Sequence, residues 1–451
     1  MRTEPLHSSM RAPLMLTVLD EIVLSVFSLA LNFALIRLWP PALFGTFVFI
    51  IALGLLFYSL QSSLFTTQLA VLRPSARAAG QEQNLLVTLW TANGMLTGVL
   101  AITTAVGTTL FAPGPPLQLP LAAALFVISV LTREYIRSLL FSEFRPGIAL
   151  ATDLGYVALA VPALTLLIGR GNVQINGVLL CLAGANIAAV LPIIVSRSSF
   201  FCVRWDADSR ARYAAIWRDQ ARWAVVGAVM HEVMDRAHVF VVASFFGAAA
   251  AGILQAGEVL FRPLRLLLQA WERLAKPLFA RLAAACEIAS ARLMTLASLA
   301  AFLAGAAVFF LALWTAWPLI ADRLYGHKYS GIGSIAILWS IAAVARIASQ
   351  VLNTELQGFA RFSELSAVSA VSSLIALLLL LVTVIIGDYA LTILAIAAGH
   401  LVAFLLMTAI IARFYRAARM GDISRSSFAY LPPWLSIGRA PPAVALKSAQ
   451  G

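Results

Sequence analysis

Apolar runs recur from Leu14 almost to Arg413, and the polar gaps between them are too short to fold on their own. A helical run of about 20 residues, rising ~1.5 Å per residue, crosses the ~30 Å hydrocarbon core of a bilayer. No water is there to satisfy backbone N–H and C=O groups, so a spanning segment is either a helix or a strand of a closed barrel. Alternating barrel segments of about ten residues are absent. We therefore expect an all-α integral membrane protein with roughly twelve transmembrane helices. They are placed at Leu14 to Leu38, Leu43 to Leu69, Leu85 to Phe111, Leu119 to Phe141, Ile148 to Ile168, Val178 to Val195, Trp223 to Phe245, Ala249 to Phe279, Leu293 to Ile320, Gly331 to Gln357, Phe362 to Ile386 and Ala390 to Arg413. A chain that is 61% hydrophobic and 12% charged is outside the soluble globular range.

The net charge of +12 raises the question of a nucleic-acid partner, and its distribution answers it. With the N-terminus inside, Arg2, Arg11, Arg73, Arg77, Arg145, the cluster Arg197 to Arg222, Arg281, Arg361, Arg413, Arg416, Arg419 and Arg425 fall on one side. The opposite side holds Arg37, Arg170, Arg323 and Lys328, and its loop APGPPLQLP is uncharged. That asymmetry is the positive-inside pattern, so both termini are expected to be cytoplasmic and no nucleic-acid partner is expected. The first apolar stretch is too long, and lacks the small-residue pattern, for a cleaved signal peptide. Cys181, Cys202 and Cys286 are isolated, and the five histidines form no ligand set, so neither metal nor cofactor is expected.

Two pairs of segments resemble one another at similar offsets: LWPPALFG (Leu38 to Gly45) with FFGAAAAG (Phe245 to Gly252), and LLFSEFRPGIAL (Leu139 to Leu150) with VLNTELQGFARF (Val351 to Phe362). They point to a duplication of six spans, both copies inserted the same way up. The expected division is an N-terminal six-helix lobe at 1–196, a basic cytoplasmic linker at 197–222, a C-terminal six-helix lobe at 223–416 and a disordered cytoplasmic tail at 417–451. The linker mixes Trp205 and Trp217 with arginines, as a helix lying on anionic headgroups does.

The segment LFRPLRLLLQAWERLAKPLF, Leu260 to Phe279, has spanning length yet carries Arg262, Arg265, Glu272, Arg273 and Lys276. On a helix extended back to Glu258, these residues and Gln269 share an arc of about 100°, opposite Leu260, Leu264, Leu267, Trp271, Leu274 and Leu278. A charge at the centre of a lipid-facing helix costs ~2.5 to 3.5 kcal/mol, so such a stripe faces a cavity. A surface helix, or arginines snorkelling from the end of a span, is the competing reading. Pro263 and Pro277 are expected to bend the helix. Elsewhere His231, Asp235 and His238 share a face, Glu232 and Arg236 form an i,i+4 pair, and Arg346 aligns with Gln350, Asn353 and Gln357. Arg133, Glu134 and Arg137 sit in the fourth span, and Asp20 and Glu21 in the first. Each set alone is either a neutralised pair or a substrate contact. The excess of arginine over carboxylate on the eighth span favours an anionic ligand, because guanidinium binds phosphate or carboxylate bidentately.

Three stretches carry a family resemblance: LNFALIRLWPPALFGTFVFIIALGLL, VVASFFGAAAAGILQAGEVLFRPLRLLLQAWERLAKPLFARLA, and LIADRLYGHKYSGIGSIAILWSIAAVARIASQVLNTELQGFAR with its Leu324, Tyr325, Gly326, Lys328 and Tyr329. With them the chain, from about Leu14 to Arg416, resembles the Wzx-like polysaccharide flippases of the multidrug/oligosaccharidyl-lipid/polysaccharide (MOP) exporter superfamily. The resemblance implies two six-helix lobes around a cavity that opens alternately to each side of a bacterial inner membrane. It implies movement of undecaprenyl-pyrophosphate-linked oligosaccharide units for polysaccharide synthesis, alongside membrane lipids and polymerase and chain-length proteins, with no enzymatic step. From helical geometry, the expected substrate-binding residues are Arg262, Arg265, Gln269, Arg273, Arg133, Arg137 and Arg346, and the ion-coupling candidates are Glu258, Glu232 and Asp235. The rival readings are a multidrug or cation exporter of the same superfamily, whose cavity should be acidic, and a membrane polysaccharide polymerase or ligase, which needs a larger outer loop.

Overall fold

A computed structural model of the chain describes residues 11–111, 117–171, 173–285, 287–326, 328–359 and 361–419, and every regular element among them is helical. The proline-rich tail, Cys286 and most of the APGPPLQLP loop lie outside the described residues. Helix α1 spans Arg11–Leu38, and α2 (Pro41–Gln61) passes through a π turn, Ser62–Thr66, into α3 (Thr67–Ala78). Helices α4 (Glu82–Phe111), α5 (Gln118–Ser142), α6 (Pro146–Gly169) and α7 (Ile175–Ser196) follow, then the short linker helix α8 (Ala207–Ile216). The second half of the chain comprises α9 (Arg222–Val259), α10 (Arg262–Ala284), α11 (Ile288–Thr315), the single turn α12 (Trp317–Ile320), α13 (Ile332–Gly358), α14 (Phe362–Ile386) and α15 (Leu391–Arg419).

Eleven helical stretches among the described residues are long and apolar enough to cross a membrane, against roughly twelve expected. The difference lies at the seventh and eighth expected spans: one apolar stretch, Asp235–Val259, runs across a break at Gly247, and the α10 that follows carries too much charge to qualify. Burial is inverted relative to a soluble protein. Leu110 and Ile385 are largely exposed, whereas Asp20, Gln61, Asp153 and Glu355 are wholly enclosed. Lipid demands this arrangement, because apolar side chains cost nothing against acyl chains and polar ones must find protein partners.

The closest helix crossing joins the two halves. Gly247 has φ +84°, which ends the first part of α9 and starts a second helical part in a new direction. That second part crosses the start of α2 backbone against backbone. A methyl group on Gly45 would overlap the Ala248 carbonyl, and one on Gly252 would overlap the Pro41 carbonyl. Ala248 follows Pro41 by 207 residues, and Gly252 follows Gly45 by the same 207, so the contact is reciprocal, as across a local two-fold axis. These are the residues that the internal repeat superposes. Beside the crossing, the end of α1 is tied down by side chains from distant segments. Lys328 Nζ donates to the Arg37 and Leu38 carbonyls at 3.1 and 3.2 Å, the Tyr329 hydroxyl to the Trp39 carbonyl at 3.4 Å, and the Trp39 indole N–H to the Val173 carbonyl at 2.7 Å.

The opposite end of the first half is held by a charge cluster. Glu143, at the C-terminus of α5, accepts from Arg197 Nη1 at 2.6 Å and from Arg73 Nη2 at 3.0 Å, and Arg73 also binds Glu82 and Ser142. Four helix ends, those of α3, α4, α5 and α7, meet there. Burial raises the Glu143 pKa, but hydrogen bonds from Arg197 and Arg73, and their charges, more than offset that and hold it below the usual carboxylate value. A lowered folded-state pKa stabilises the fold above the unfolded value and loses that contribution as pH falls through the folded one. Thermal stability in detergent should therefore decline below about pH 4.5, the ordinary value, and Glu143→Gln should flatten that part of the profile. At the crossing, Gly45→Ala and Gly252→Ala should each cost about 1–3 kcal/mol or prevent assembly. Gly54→Ala on the same α2 meets nothing within 4 Å and should leave the melting temperature in detergent unchanged.

Candidate cavity between the two halves

Residues of both halves enclose a cavity of about 580 Å³, reached by α1, α2, α5, α6, α7, α9 and α10. One wall is built by α1, α5 and α6. Spacings of four residues put Arg133 and Arg137 on one face of α5, with Glu134 beside them. Arg137 Nη2 meets Asp20 Oδ2 at 2.6 Å and Glu21 Oε1 at 3.1 Å, its Nη1 lies 3.4 Å from Glu134, and its Nε lies 2.9 Å from Asp153. Arg133 contacts Glu134 at 3.1 Å and Asp153 at 3.7 Å, with its guanidinium 4.2 Å above the Tyr156 ring. Four carboxylates (Asp20, Glu21, Glu134, Asp153) thus surround two guanidiniums, a formal excess of two negative charges.

The facing wall has the opposite balance. Arg236 pairs with Glu232 at 2.6 Å, Arg346 with Asp235 at 3.6 Å and Arg265 with Glu258 at 3.1 Å, while Gln255 donates to Glu258 at 2.8 Å. His238 is buried against Trp339 in an edge-on contact at 5.6 Å. Arg262 is the exception. Its Nη1 donates to Ser28 Oγ at 3.1 Å, its Nε has no hydrogen-bond partner, and among the described residues it has no ion pair. Four guanidiniums against three carboxylates leave this wall with a formal excess of one positive charge.

The backbone explains where Arg262 sits. Pro263 has no N–H to offer Val259, so the helix ends at Val259, tightens through the Leu260 and Phe261 amides onto Gly257 and Glu258, and restarts as α10. Pro263 therefore opens a helix instead of bending one, which corrects the sequence expectation. The interruption also means that Glu258 does not share one continuous helical arc with the stripe, and its contact with Arg265 is made across the break. The first turn of α10 has no side-chain cap and is separated from the end of α9 by only two residues. The opposed dipole ends of the two helices therefore largely offset one another, and the positive charge at the cavity is that of Arg262 and Arg265.

The cavity brings together Arg133, Arg137, Asp235, Glu258, Arg262, Arg265 and Gln269 of the expected site residues. Arg346 lines a smaller adjoining recess between α10 and α13, and Glu232 lies behind Arg236. The side chains of Arg273 and His231 lie outside the described residues. Lys276 pairs with Glu272 one turn along α10 at 3.6 Å. Asp153, Tyr156, Ser28, Gln255 and Asn186 were not singled out in the sequence. Asp153 could have been, as the sole charge inside the apolar span of α6.

No protein-family model and no curated protein sequence matches the chain. Solved structures do resemble it. An inward-facing conformation of a multidrug resistance MATE family transporter of the MOP superfamily has a TM-score of 0.69 at 11% identity, over 88% of this chain and 96% of that one. The lipid II flippase MurJ in an inward closed conformation gives 0.66 at 12% identity, over 92% and 89%. An outward-facing MATE family transporter gives 0.55 at 13% identity, over 90% and 95%. The chain therefore has the multi-pass helical fold shared by MOP-superfamily transporters and a lipid flippase.

The acidic wall yields a stability prediction. Arg137→Gln leaves Asp20 and Asp153 buried without their cation and should destabilise the protein by about 3–5 kcal/mol. Arg137→Gln combined with Asp153→Asn should recover part of that loss, read as melting temperature in detergent.

Proposed function

We propose that the chain is a flippase that moves a polyprenyl-diphosphate-linked oligosaccharide across a bacterial inner membrane by alternating access. The observation that carries this reading is Arg262, a cavity guanidinium without a carboxylate partner among the described residues, beside Arg265 and the start of α10. Guanidiniums suit a diphosphate, while the polyprenyl tail stays in lipid. In this reading the lobes are 1–196 and 223–416, joined by the basic linker 197–222, with both termini and the tail from 417 cytoplasmic. The crossing at Gly45 and Gly252 is then the closed periplasmic end. The higher likeness to an inward-facing transporter than to an outward-facing one supports that assignment. Gln269 and Arg346 extend the basic wall, and Glu258, Asp235 and Glu232 are carboxylates available for ion coupling. Polymerase and chain-length proteins are the partners such a step requires.

The acidic wall favours a second reading, a cation exporter, because four carboxylates around two guanidiniums could hold a cation. Depletion separates the two. A flippase defect traps complete lipid-linked repeat units on the cytoplasmic leaflet, as a leaflet-specific lectin would report, whereas an exporter defect leaves them on the periplasmic leaflet and raises intracellular organic cation. Under the flippase reading, Arg262→Gln with Arg265→Gln, in protein still inserted, should reduce polysaccharide export at least about tenfold, since two charge-assisted contacts are lost. Unchanged export would remove both arginines from the substrate path.

A further inference from the structure

The two walls of the cavity carry opposite charge, and the helix that spans both sets the distance between them. Ser28, which binds Arg262, and Glu21, which faces Arg137, are seven residues apart on α1, or ~10 Å along its axis. We propose that the sugar attached to the diphosphate lies against the Glu21 and Glu134 wall, and that this wall accepts neutral or amine-bearing sugars and rejects sugars that carry a carboxylate. The inference rests on the lipid-diphosphate reading and adds the sugar chemistry that the same cavity selects.

Arg133 and Arg137 do not make this wall basic, although they stand in it. Asp20, Glu21, Glu134 and Asp153 all lie within 3.7 Å of their guanidinium nitrogens, so an incoming anion meets a formal excess of negative charge. Glu21 is the most exposed of the four carboxylates, its side chain being 41% exposed. Asn186 also lines the cavity, and an amide side chain can both donate to and accept from sugar hydroxyls. Phe27, half-buried on the cavity and packed edge to face with Tyr156 at 5.4 Å, adds aromatic surface on which a pyranose ring can rest. A diphosphate drawn to Arg262 thus puts its first sugar among carboxylates, an amide and an aromatic ring.

The test uses the purified full-length chain and three short prenyl diphosphates that carry glucose, glucosamine or glucuronate, with affinity measured by equilibrium competition. Glucose and glucuronate differ only at C6, so size is held constant while charge changes. The expected result is that the glucuronate compound binds at least about tenfold more weakly than the glucose compound, from like-charge juxtaposition. The glucosamine compound should bind at least as well as glucose, and Glu21→Gln with Glu134→Gln should narrow the glucose–glucuronate gap to less than about threefold. Equal or tighter binding of glucuronate by the unmodified chain overturns the proposal and leaves the diphosphate reading intact. A gap that survives both substitutions overturns the assignment to this wall. Failure of all three compounds to bind overturns the diphosphate reading itself, and this inference with it.

Discussion

A charge in a bilayer core must be paired or hydrated, and the interior of this protein is organised around that constraint. Around the cavity, guanidiniums sit within ion-pair distance of carboxylates on neighbouring helices, and two of those pairs, Arg137–Asp20 and Arg346–Asp235, join helices that are far apart in sequence. Asp20 of α1 and Asp153 of α6 both meet Arg137 of α5, so one side chain holds three helices together. Such pairs cost desolvation and add little net stability, but removing either partner is expensive, so they act chiefly to specify which helices are neighbours. Arg262 breaks the pattern, with a serine hydroxyl where its neighbours have carboxylates. A half-buried guanidinium on a cavity wall with only a hydroxyl partner retains donors that an anion can accept from. The same constraint therefore explains both the fold's cross-links and its candidate binding position.

The second constraint is steric. At Gly45 and Gly252 two helices approach so closely that no side chain fits between them, which brings backbones of the two halves together without any hydrophobic side chain as filler. Close packing through small residues is how helices associate where lipid offers no hydrophobic drive. Large side chains pack beside the crossing, Phe49 of α2 against Phe240 of α9 at 5.8 Å, so the two helices also interlock away from the glycines. Around the crossing are hydrogen bonds from Lys328, Tyr329 and Trp39 to main-chain carbonyls, which can be exchanged for water at modest cost.

The spans were legible in the sequence because each is a long apolar run, and the polar face of α10 was legible because its charges repeat at helical spacing. Three features were not. The restart of the helix after Phe261 depends on which amide Pro263 leaves unmade, and a proline near the start of a charged stretch reads equally well as a bend. The acidity of the first wall depends on Asp153 joining Asp20, Glu21 and Glu134, which are brought together from three helices, and no local pattern reports that. The ion pairing of Arg133 and Arg137 was hidden for the same reason: in the sequence only Glu134 stands next to them, and the other carboxylates arrive through folding. The repeat containing Gly45 and Gly252 was visible as text, yet that the two copies touch each other is a statement about packing that text does not contain.

Helix α1 connects these elements. Its early turns carry Asp20 and Glu21 at the acidic wall, its middle carries Ser28 on Arg262, and its last carbonyls receive Lys328 beside the glycine crossing. The α-helical assignment is unbroken from Arg11 to Leu38, and a helix of that length moves largely as a rod, because each turn is bonded to the next. Any tilt that releases its C-terminal carbonyls from Lys328 and Tyr329 must also shift Ser28 against Arg262 and Asp20 against Arg137. An anion that takes over Arg262 removes one restraint on that rod, and a cation that neutralises Asp20 or Glu21 removes another. The end held by Lys328 and both walls of the cavity are thereby joined through one helix, without any need for a relay of side chains between them.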